Sequence, residues 1–358
     1  MRMALAVQGR IPRAPRLDTT GATAPRAYLF EEMFAPRYNE SILDVGPRWA
    51  LTRPLPGWVK LAAEIRRRGD EYDVLVTWSE RVAIALMTMN CLLGSSKPCL
   101  AMMYWFSRPS VRVPIRAFGS GLHAIVTWSS VQRTYAIDHL GIPPERIYLI
   151  RHFVDQLFWT PRDCDTDMIC SVGAEMRDYP TLVEALRGTG IRCHIASDHV
   201  RVDRFGFARR IRVDERSARA SDVLTIGRKS LLDLRDLYAR SRFVVVPLRP
   251  SDTDNGVTVI LEAMAMGKAV ICSRTQGQVD VIQDGVTGIY VPAGDPGALR
   301  DAIQALWRDP ERAVAMGRAG RLYVEQHHTL DKFCRDVRGA AQACVEGRSA
   351  TLDGAITD

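Results

Sequence analysis

Apolar runs recur along the chain at the lengths of strands and helices, separated by polar loops, and one unit of this pattern is especially complete. Phe243-Val244-Val245-Val246 predicts a buried strand. A polar loop follows from Arg249 to Asn255, then an apolar segment from Val257 to Met266, which Gly267 ends before a second β-type run, Ala269 to Cys272. The order is strand, loop, helix, strand, with Asp254 or Asn255 as the expected N-cap and Gly267 at the C-terminal stop. A helix apolar nearly all round belongs between layers rather than on the surface. Glu262 stands in its middle, on the face of Thr258 one turn earlier, and a buried carboxylate there requires a strong donor. The plainer reading is a helix Glu that reaches solvent or a single Arg.

The same alternation covers most of the chain. Met1 to Val7 reads as a first strand and Trp58 to Arg68 as an amphipathic helix ended by Gly69. Tyr72 to Ser79 is a strand running into a helix cap, and Ala124 to Ser129 is a near copy of it. Met168 to Gly173 is a strand into a turn, Tyr179 to Leu186 a helix, and Val223 to Gly227 a strand before the helix Leu231 to Tyr238. Helices are expected near 296–308, 310–326 and 330–344, and 347–358 reads as a disordered tail. Strands alternating with helices imply parallel sheets, whose crevice at the strands' C-terminal ends takes the ligand. Trp78 and Trp128 fall at such ends, where packing in the core is the competing reading. Between them, Met102-Met103-Tyr104-Trp105-Phe106-Ser107-Arg108, followed by Arg112 and Arg116, interleaves aromatics with arginines in the manner of an acceptor pocket or an interface. Pro109 and Pro114 argue there against one regular amphipathic helix. Arg201 to Arg219 is a basic run without aromatics and reads as a solvated, loop-rich insertion.

Composition narrows the class. The 358 residues suffice for two domains, and 47% hydrophobic with 25% charged residues is ordinary for a globular protein. No apolar stretch approaches the ~20 residues of a membrane span, and Met3 to Val7 is too short for a signal peptide. The eight cysteines show no metal-ligand spacing and read as reduced thiols of a cytoplasmic protein. Charge is divided unevenly: residues 1–157 hold 20 Lys and Arg against 13 Asp and Glu, a net of +7, whereas 158–358 hold 28 against 28. The excess in the first half suits an anionic partner or an anionic membrane surface, against the plain reading of solubilising charge. Neither G-x-x-x-x-G-K nor G-x-G-x-x-G follows a strand, no H-E-x-x-H occurs, and nothing suggests a nucleic-acid partner. Asp252-Thr253-Asp254 spells D-x-D, a metal and nucleotide-sugar signature that short matches meet by chance.

Asp254, then Glu262 eight positions on, then Ala263-Met264-Ala265-Met266-Gly267-Lys268-Ala269-Val270-Ile271 resembles the E-x(7)-E signature of retaining glycosyltransferases of family 4. The resemblance continues through Ser273 to Gly288 and, upstream, through Arg151-His152-Phe153-Val154-Asp155-Gln156-Leu157-Phe158 before a domain linker marked by Pro161 and Asp163. It implies an α/β architecture of the GT-B kind, two Rossmann-like domains with parallel sheets facing across a cleft. The domains would be 1–157 on the acceptor side and 158–329 on the donor side, with the 330–344 helix packing back on the first. It implies a nucleotide-diphosphate sugar as co-substrate and no other cofactor or metal. Asp254, Glu262 and Arg177 take the catalytic positions. Asn255, Gly256, Val257, Thr258, Gly173, Gly227 and Arg228 fall on the donor side. Gly21, Tyr104, Trp78, Trp128 and Arg108 are the acceptor-side candidates. The family has Glu where Asp254 stands, Arg where Ala174 stands and His where Tyr104 stands. The function implied is metal-independent, retaining transfer of a hexosyl group to a glycan, lipid-linked or small-molecule acceptor, and the charge excess of the first half suits one that is anionic or held at an anionic surface. The enzyme would be cytoplasmic, or peripheral at the inner face of a membrane. Two alternatives stay open: a catalytically weak nucleotide-sugar binding protein and a GT-B sugar-nucleotide epimerase.

Overall fold

The computed structural model describes residues 1–7, 41–44, 55–94, 97–197, 224–227 and 229–348. The run 201–219, Gly21, Arg228 and the end of the chain from 349 lie outside the described residues. The described chain forms two compact units, one holding the residues up to Arg151 together with those from Asp331, the other His152–Leu330.

The first unit is built on strands β1 Met3–Val7, β2 Ser41–Asp44, β3 Val74–Thr77, β4 Cys99–Met102, β5 Ala124–Thr127 and β6 Ile147–Leu149. They form one sheet in the order β2-β1-β3-β4-β5-β6, parallel at every pairing. Helices α1 Gly57–Arg67, α2 Glu80–Leu93, α3 Pro109–Phe118 and α4 Ser130–Leu140 return the chain between strands. The prolines expected to prevent a helix after Arg108 do not prevent it. Pro109 takes the first helical position, where no amide partner is needed, and burial of Val111 and Ile115 carries α3 past Pro114.

The second unit has strands β7 Met168–Val172, β8 Cys193–Ala196, β9 Leu224–Ile226, β10 Ser241–Val246, β11 Ala269–Arg274 and β12 Gly288–Pro292. Helices α5 Tyr179–Leu186, α6 Leu231–Arg240, α7 Val257–Ala265, α8 Pro296–Arg308 and α9 Pro310–His327 accompany them. The sheet order is β12-β11-β10-β7-β8-β9, so the direction of strand addition reverses between β7 and β10. Such a reversal leaves a crevice at the strands' C-terminal ends. Side chains of the central strands alternate between two apolar layers. Val244, Val246, Val270 and Cys272 face a layer containing α7. Phe243, Val245, Ala269 and Ile271 face one containing residues of α5 and α8. Helix α7 is buried at Val257, Val259, Ile260, Leu261, Ala263, Met264 and Ala265, as its all-round apolarity required.

The last helix, α10 Leu330–Glu346, is grouped from Asp331 with the first unit. Phe333 meets Trp78 edge to face at 6.1 Å, and the Tyr148 hydroxyl donates to the Arg348 carbonyl at 3.2 Å. The division at Arg151 and His152 falls before the 157/158 boundary read from the acidic loop. Its cause is a backbone stitch: Val154 bridges Thr329, its amide donating to the His328 carbonyl at 2.9 Å, which ties 152–157 to the second unit. Among the described residues no helix is long and apolar enough to cross a membrane.

Phe243 is fully buried in the second unit's sheet. Phe243→Ala is expected to cost about 3–5 kcal/mol through lost burial and a cavity. Thermal denaturation measures it, and a melting temperature equal to wild type would contradict this packing.

Candidate active site

The crevice at the reversal is closed by the two loops that leave β7 and β10. After β7 the chain turns at Gly173, whose φ of 95° is in the left-handed region. Arg177 then pairs with Leu248 in an isolated antiparallel bridge. The Asp178 amide donates to the Pro247 carbonyl at 2.9 Å, and the Arg249 amide to the Met176 carbonyl at 2.9 Å. Asp178 also starts α5, accepting from the Thr181 amide and hydroxyl.

This lacing buries Arg177 to 4% exposure, which removes the reading of a solvated loop arginine. Its Nε donates to the Val172 carbonyl at 2.9 Å and its Nη1 to the Glu175 carbonyl at 2.8 Å. The guanidinium lies against two glycines. A Cβ on Gly173 would stand 2.7 Å from Nη2, and one on Gly256 would stand 3.5 Å from Nη1. Gly173, Arg177 and Gly256 are thus brought together, as their separate places in the sequence did not require.

Gly256, with φ 90°, is the N-cap of α7. Neither Asp254 nor Asn255 caps the helix as expected. The Asn255 amide group instead donates to the hydroxyls of Ser251 and Thr253, and its backbone is held from elsewhere. Gln278, fully buried, donates from Nε2 to the carbonyls of Asp254 at 3.2 Å and Asn255 at 3.0 Å. Gly277 donates to the Ser251 carbonyl at 3.0 Å and passes so close that a Cβ would stand 2.3 Å from Thr253. Sequence reading missed Gln278; the signal was the polar Thr275-Gln276-Gly277-Gln278 run directly after a buried strand. Asp254 itself is buried at 6% exposure. The Val257 amide is spent on the Asp254 carbonyl at 3.1 Å, so it does not face the crevice as a donor. The amides of Thr258 and Val259 precede the first intrahelical bond, Ile260 to Gly256 at 3.0 Å, and carry the positive end of the helix.

Glu262 is half-buried and accepts from the Tyr238 hydroxyl at 2.9 Å. Burial lifts its carboxyl to about 7, against the pull of that hydroxyl and of the Arg177 charge. Tyr238 is itself buried, its ring edge-on to Trp159 at 5.5 Å, and burial beside Glu262 raises its phenol well above the usual value. Tyr238 is the donor that the buried glutamate demanded. Thr258 is exposed on the same helix, and Gly227 follows the edge strand β9, its amide on the Ile195 carbonyl at 3.1 Å. Among the described residues no group of three or more His, Cys, Asp or Glu could hold a metal ion.

In the first unit the remaining candidates gather at the C-terminal ends of β3, β4 and β5. Tyr104, 39% exposed, stacks on Trp128 with centroids 5.5 Å apart and planes at 13°. Trp78 follows β3 and packs on Phe333, while Arg108 lies over the Trp105 ring at 5.6 Å. Two unanticipated side chains hold this loop. Glu80 accepts the amides of Tyr104 at 2.9 Å and Trp105 at 3.0 Å, and Gln132 accepts those of Phe106 at 2.7 Å and Ser107 at 3.3 Å. Burial raises the Glu80 carboxyl above its ordinary value. Arg108 precedes α3 and Arg116 lies in its last turn, eight positions apart along the helix.

Residues 177–309 match the family model described as Glycosyl transferases group 1. The match opens at Arg177 and takes in Gly227 and the whole Asp254 to Glu262 motif. A GDP-mannose-dependent alpha-(1-6)-phosphatidylinositol monomannoside mannosyltransferase of Mycolicibacterium smegmatis is a similar relative. It is 41% identical over 85 residues, 24% of this chain and 21% of that protein. A lipopolysaccharide core biosynthesis mannosyltransferase, LpcC of Rhizobium leguminosarum bv. viciae, is 32% identical over 139 residues, 38% of each chain. The chain thus spans well under half the length of these two relatives. Among solved structures, sucrose-phosphate synthase from Thermosynechococcus elongatus superposes with a TM-score of 0.74 at 17% identity, over 96% of this chain and 100% of that one. The fold is the two-domain α/β fold of GT-B glycosyltransferases. Arg177, Asp254 and Glu262 all stand in the segment that matches the group 1 model.

The raised carboxyl of Glu262 has a measurable sign. The folded chain keeps a proton to about pH 7 that the unfolded chain releases near the ordinary value of 4.5, so folded stability falls as pH rises across that window. Relative to Glu262→Gln, wild type is expected to lose about 3 kcal/mol between those limits and to change no further above them. Chemical denaturation of both proteins across pH is the measurement, and parallel stability profiles would place Glu262 in solvent.

Proposed function

We propose that this protein transfers a hexosyl group from a nucleotide-diphosphate sugar to an acceptor hydroxyl, with retention of anomeric configuration and without a metal ion. One observation carries the reading: the buried Arg177 guanidinium, flanked by Gly173 and Gly256, beside the N-terminus of α7 at the reversal of the second sheet. A fixed cation, helix-start amides and glycines that admit close approach together suit a diphosphate. Glu262 then accepts the ribose hydroxyls, and Asp254 and Asn255 border the transferred sugar.

In the reaction, the bond between the anomeric carbon and the diphosphate oxygen breaks and a bond to the acceptor oxygen forms on the same face. The acceptor's proton passes to the departing diphosphate, so no side chain has to serve as the base. Arg177 and the Thr258 and Val259 amides stabilise the charge that develops on the leaving group, at positions set before the substrate arrives. The stacked Tyr104 and Trp128 rings and Arg108 are the acceptor-side groups, and they favour an acceptor with an apolar ring face and negative charge. The two matched mannosyltransferases are named for a phosphatidylinositol monomannoside and for lipopolysaccharide core biosynthesis. A nucleotide-sugar binding protein without turnover is the second reading, favoured by Ala174 at the position after Gly173.

Thermal-shift titration with UDP, GDP, ADP and dTDP tests the donor site. A nucleotide at a hundred times its Kd is expected to add about 2.7 kcal/mol of stability. Glu262→Gln should weaken that nucleotide by ~2 kcal/mol, through loss of charged acceptors for hydroxyls. Wild-type affinity should also fall as pH drops below about 7, where Glu262 holds its proton, and this pH response should vanish in the variant. No shift with any nucleotide would remove the reading.

A second measurement concerns the chemistry. Sugar transfer or donor hydrolysis is expected to persist in EDTA, with product anomers of the donor's configuration by NMR. Activity lost in EDTA and restored by manganese would move the chemistry to Asp252 and Asp254, and inverted product would remove the same-face step.

A further inference from the structure

The first unit has a second edge, away from the aromatic candidates. Helix α2 begins beside the C-terminal end of β3 and so ends at the opposite edge of the sheet, where β5 starts at Ala124. Its last residues, Leu92 and Leu93, are 67% and 71% exposed. The α2 end abuts the Gly119–Gly121 turn: the Asn90 amide donates to the Gly121 carbonyl at 3.4 Å, and Cys91 Sγ lies 3.5 Å from the Ser120 hydroxyl. That turn is one wall of a cavity of about 350 Å³. Ile115, Leu122 and Ile142 give the cavity apolar walls, Arg116, His123 and Arg146 supply its titratable groups, and no acidic residue lines it. On α3, Val113, 59% exposed, stands one turn from Arg116.

Charge on this layer is mostly positive. From Arg81 to Ile137, through α2, β4, α3, β5 and most of α4, the chain contains Arg81, Lys97, Arg108, Arg112, Arg116 and Arg133 and no Asp or Glu. Glu80 and the exposed Asp138 bound that run and Glu145 neighbours Arg146, and none of the three is among the cavity's walls. Paired leucines in water are costly for a protein that keeps them uncovered, and their cover must tolerate cations immediately alongside. An acidic protein surface would meet the cations but has no need of two adjacent leucines at a helix end. An anionic bilayer meets both requirements, taking the leucines into its acyl boundary and its headgroup phosphates to the arginines.

We propose that this edge of the first unit docks on an anionic phospholipid surface, with Leu92 and Leu93 inserted and a lipid phosphate held in the cavity by Arg116 and Arg146. The cavity walls accommodate the glycerol portion behind the phosphate. The surface lies at the sheet edge opposite Tyr104 and Trp128, so docking leaves those rings uncovered, and it does not depend on which reaction the protein performs.

Full-length protein mixed with vesicles of phosphatidylcholine, with and without phosphatidylglycerol, and pelleted is the test. Wild type is expected to pellet with the anionic vesicles alone, less so as salt shortens the Debye length. Leu92→Ser with Leu93→Ser should lower the partition at least about ten-fold without changing the melting temperature, since both side chains already face water. Arg116→Ser with Arg146→Ser should remove the preference for phosphatidylglycerol. Leu92→Trp gives an independent readout, its emission shifting to the blue on anionic vesicles whether or not the arginine pair folds. A wild type that stays in the supernatant overturns the proposal, as does a leucine pair variant that pellets equally well. Binding to soluble polyglutamate that needs the arginines but is indifferent to the leucines would also overturn it, in favour of an acidic protein partner.

Discussion

A guanidinium almost withdrawn from bulk water organises the second unit. Arg177 is held by two main-chain carbonyls at the end of β7 and sits between the glycines that open the loops after β7 and before α7. A buried cation is costly unless its donors are met, and here the Val172 and Glu175 carbonyls meet two of them. The remaining edge of the guanidinium faces Gly173 and Gly256, where any side chain would occupy the space beside the charge. The same positive charge acts on Glu262 and partly offsets the burial that drives that carboxyl toward its neutral form. Arginine, two glycines and a raised glutamate therefore act as one electrostatic unit, and moving one alters the others.

What keeps that unit rigid is a set of main-chain bonds between segments far apart in sequence. The β7 and β10 loops are laced by the Arg177–Leu248 bridge and by the Asp178 and Arg249 amides. Gln278, from the segment after β11, clamps the carbonyls of Asp254 and Asn255 just before α7. Preorganisation of this sort lets helix-start amides and a cation face an anion without reorganising as charge develops. The first unit follows the same logic at its own sheet edge. There Glu80 and Gln132, each in the first turn of a helix, accept four amides of the loop that carries Tyr104 and Trp105. In both units bonds from neighbouring elements, rather than local turn preference, fix the loops.

The two edges of the first sheet carry different chemistry. One displays stacked aromatic rings and an arginine over Trp105; the other displays bare leucines and a cation-lined cavity. The arginines that follow the aromatic run at four-residue steps looked like a single patch in sequence, yet α3 carries Arg108 and Arg116 to its opposite ends. A helix advances about 1.5 Å per residue, so eight positions are enough to separate two functions.

By itself the amino-acid sequence determined the alternation of strands and helices, because burial on both faces of a parallel strand requires runs such as Phe243–Val246 and a helix between layers requires the apolarity of α7. It also singled out Glu262 and the need for a donor to it, since a carboxylate in such a helix has to be satisfied. Those are local demands, readable from neighbours in the chain. Pairings between distant residues are not local, and only the tertiary structure decided them. Tyr238 became the partner of Glu262, Gln278 the clamp on the 254–255 carbonyls, and Gly256 rather than Asp254 or Asn255 the start of α7. The prolines at 109 and 114 argued locally against a helix, and burial of Val111 and Ile115 outweighed them. Arg177 shows the division most clearly: composition and spacing allowed a solvated loop arginine, and it is buried because the reversal of strand order laces two loops over it.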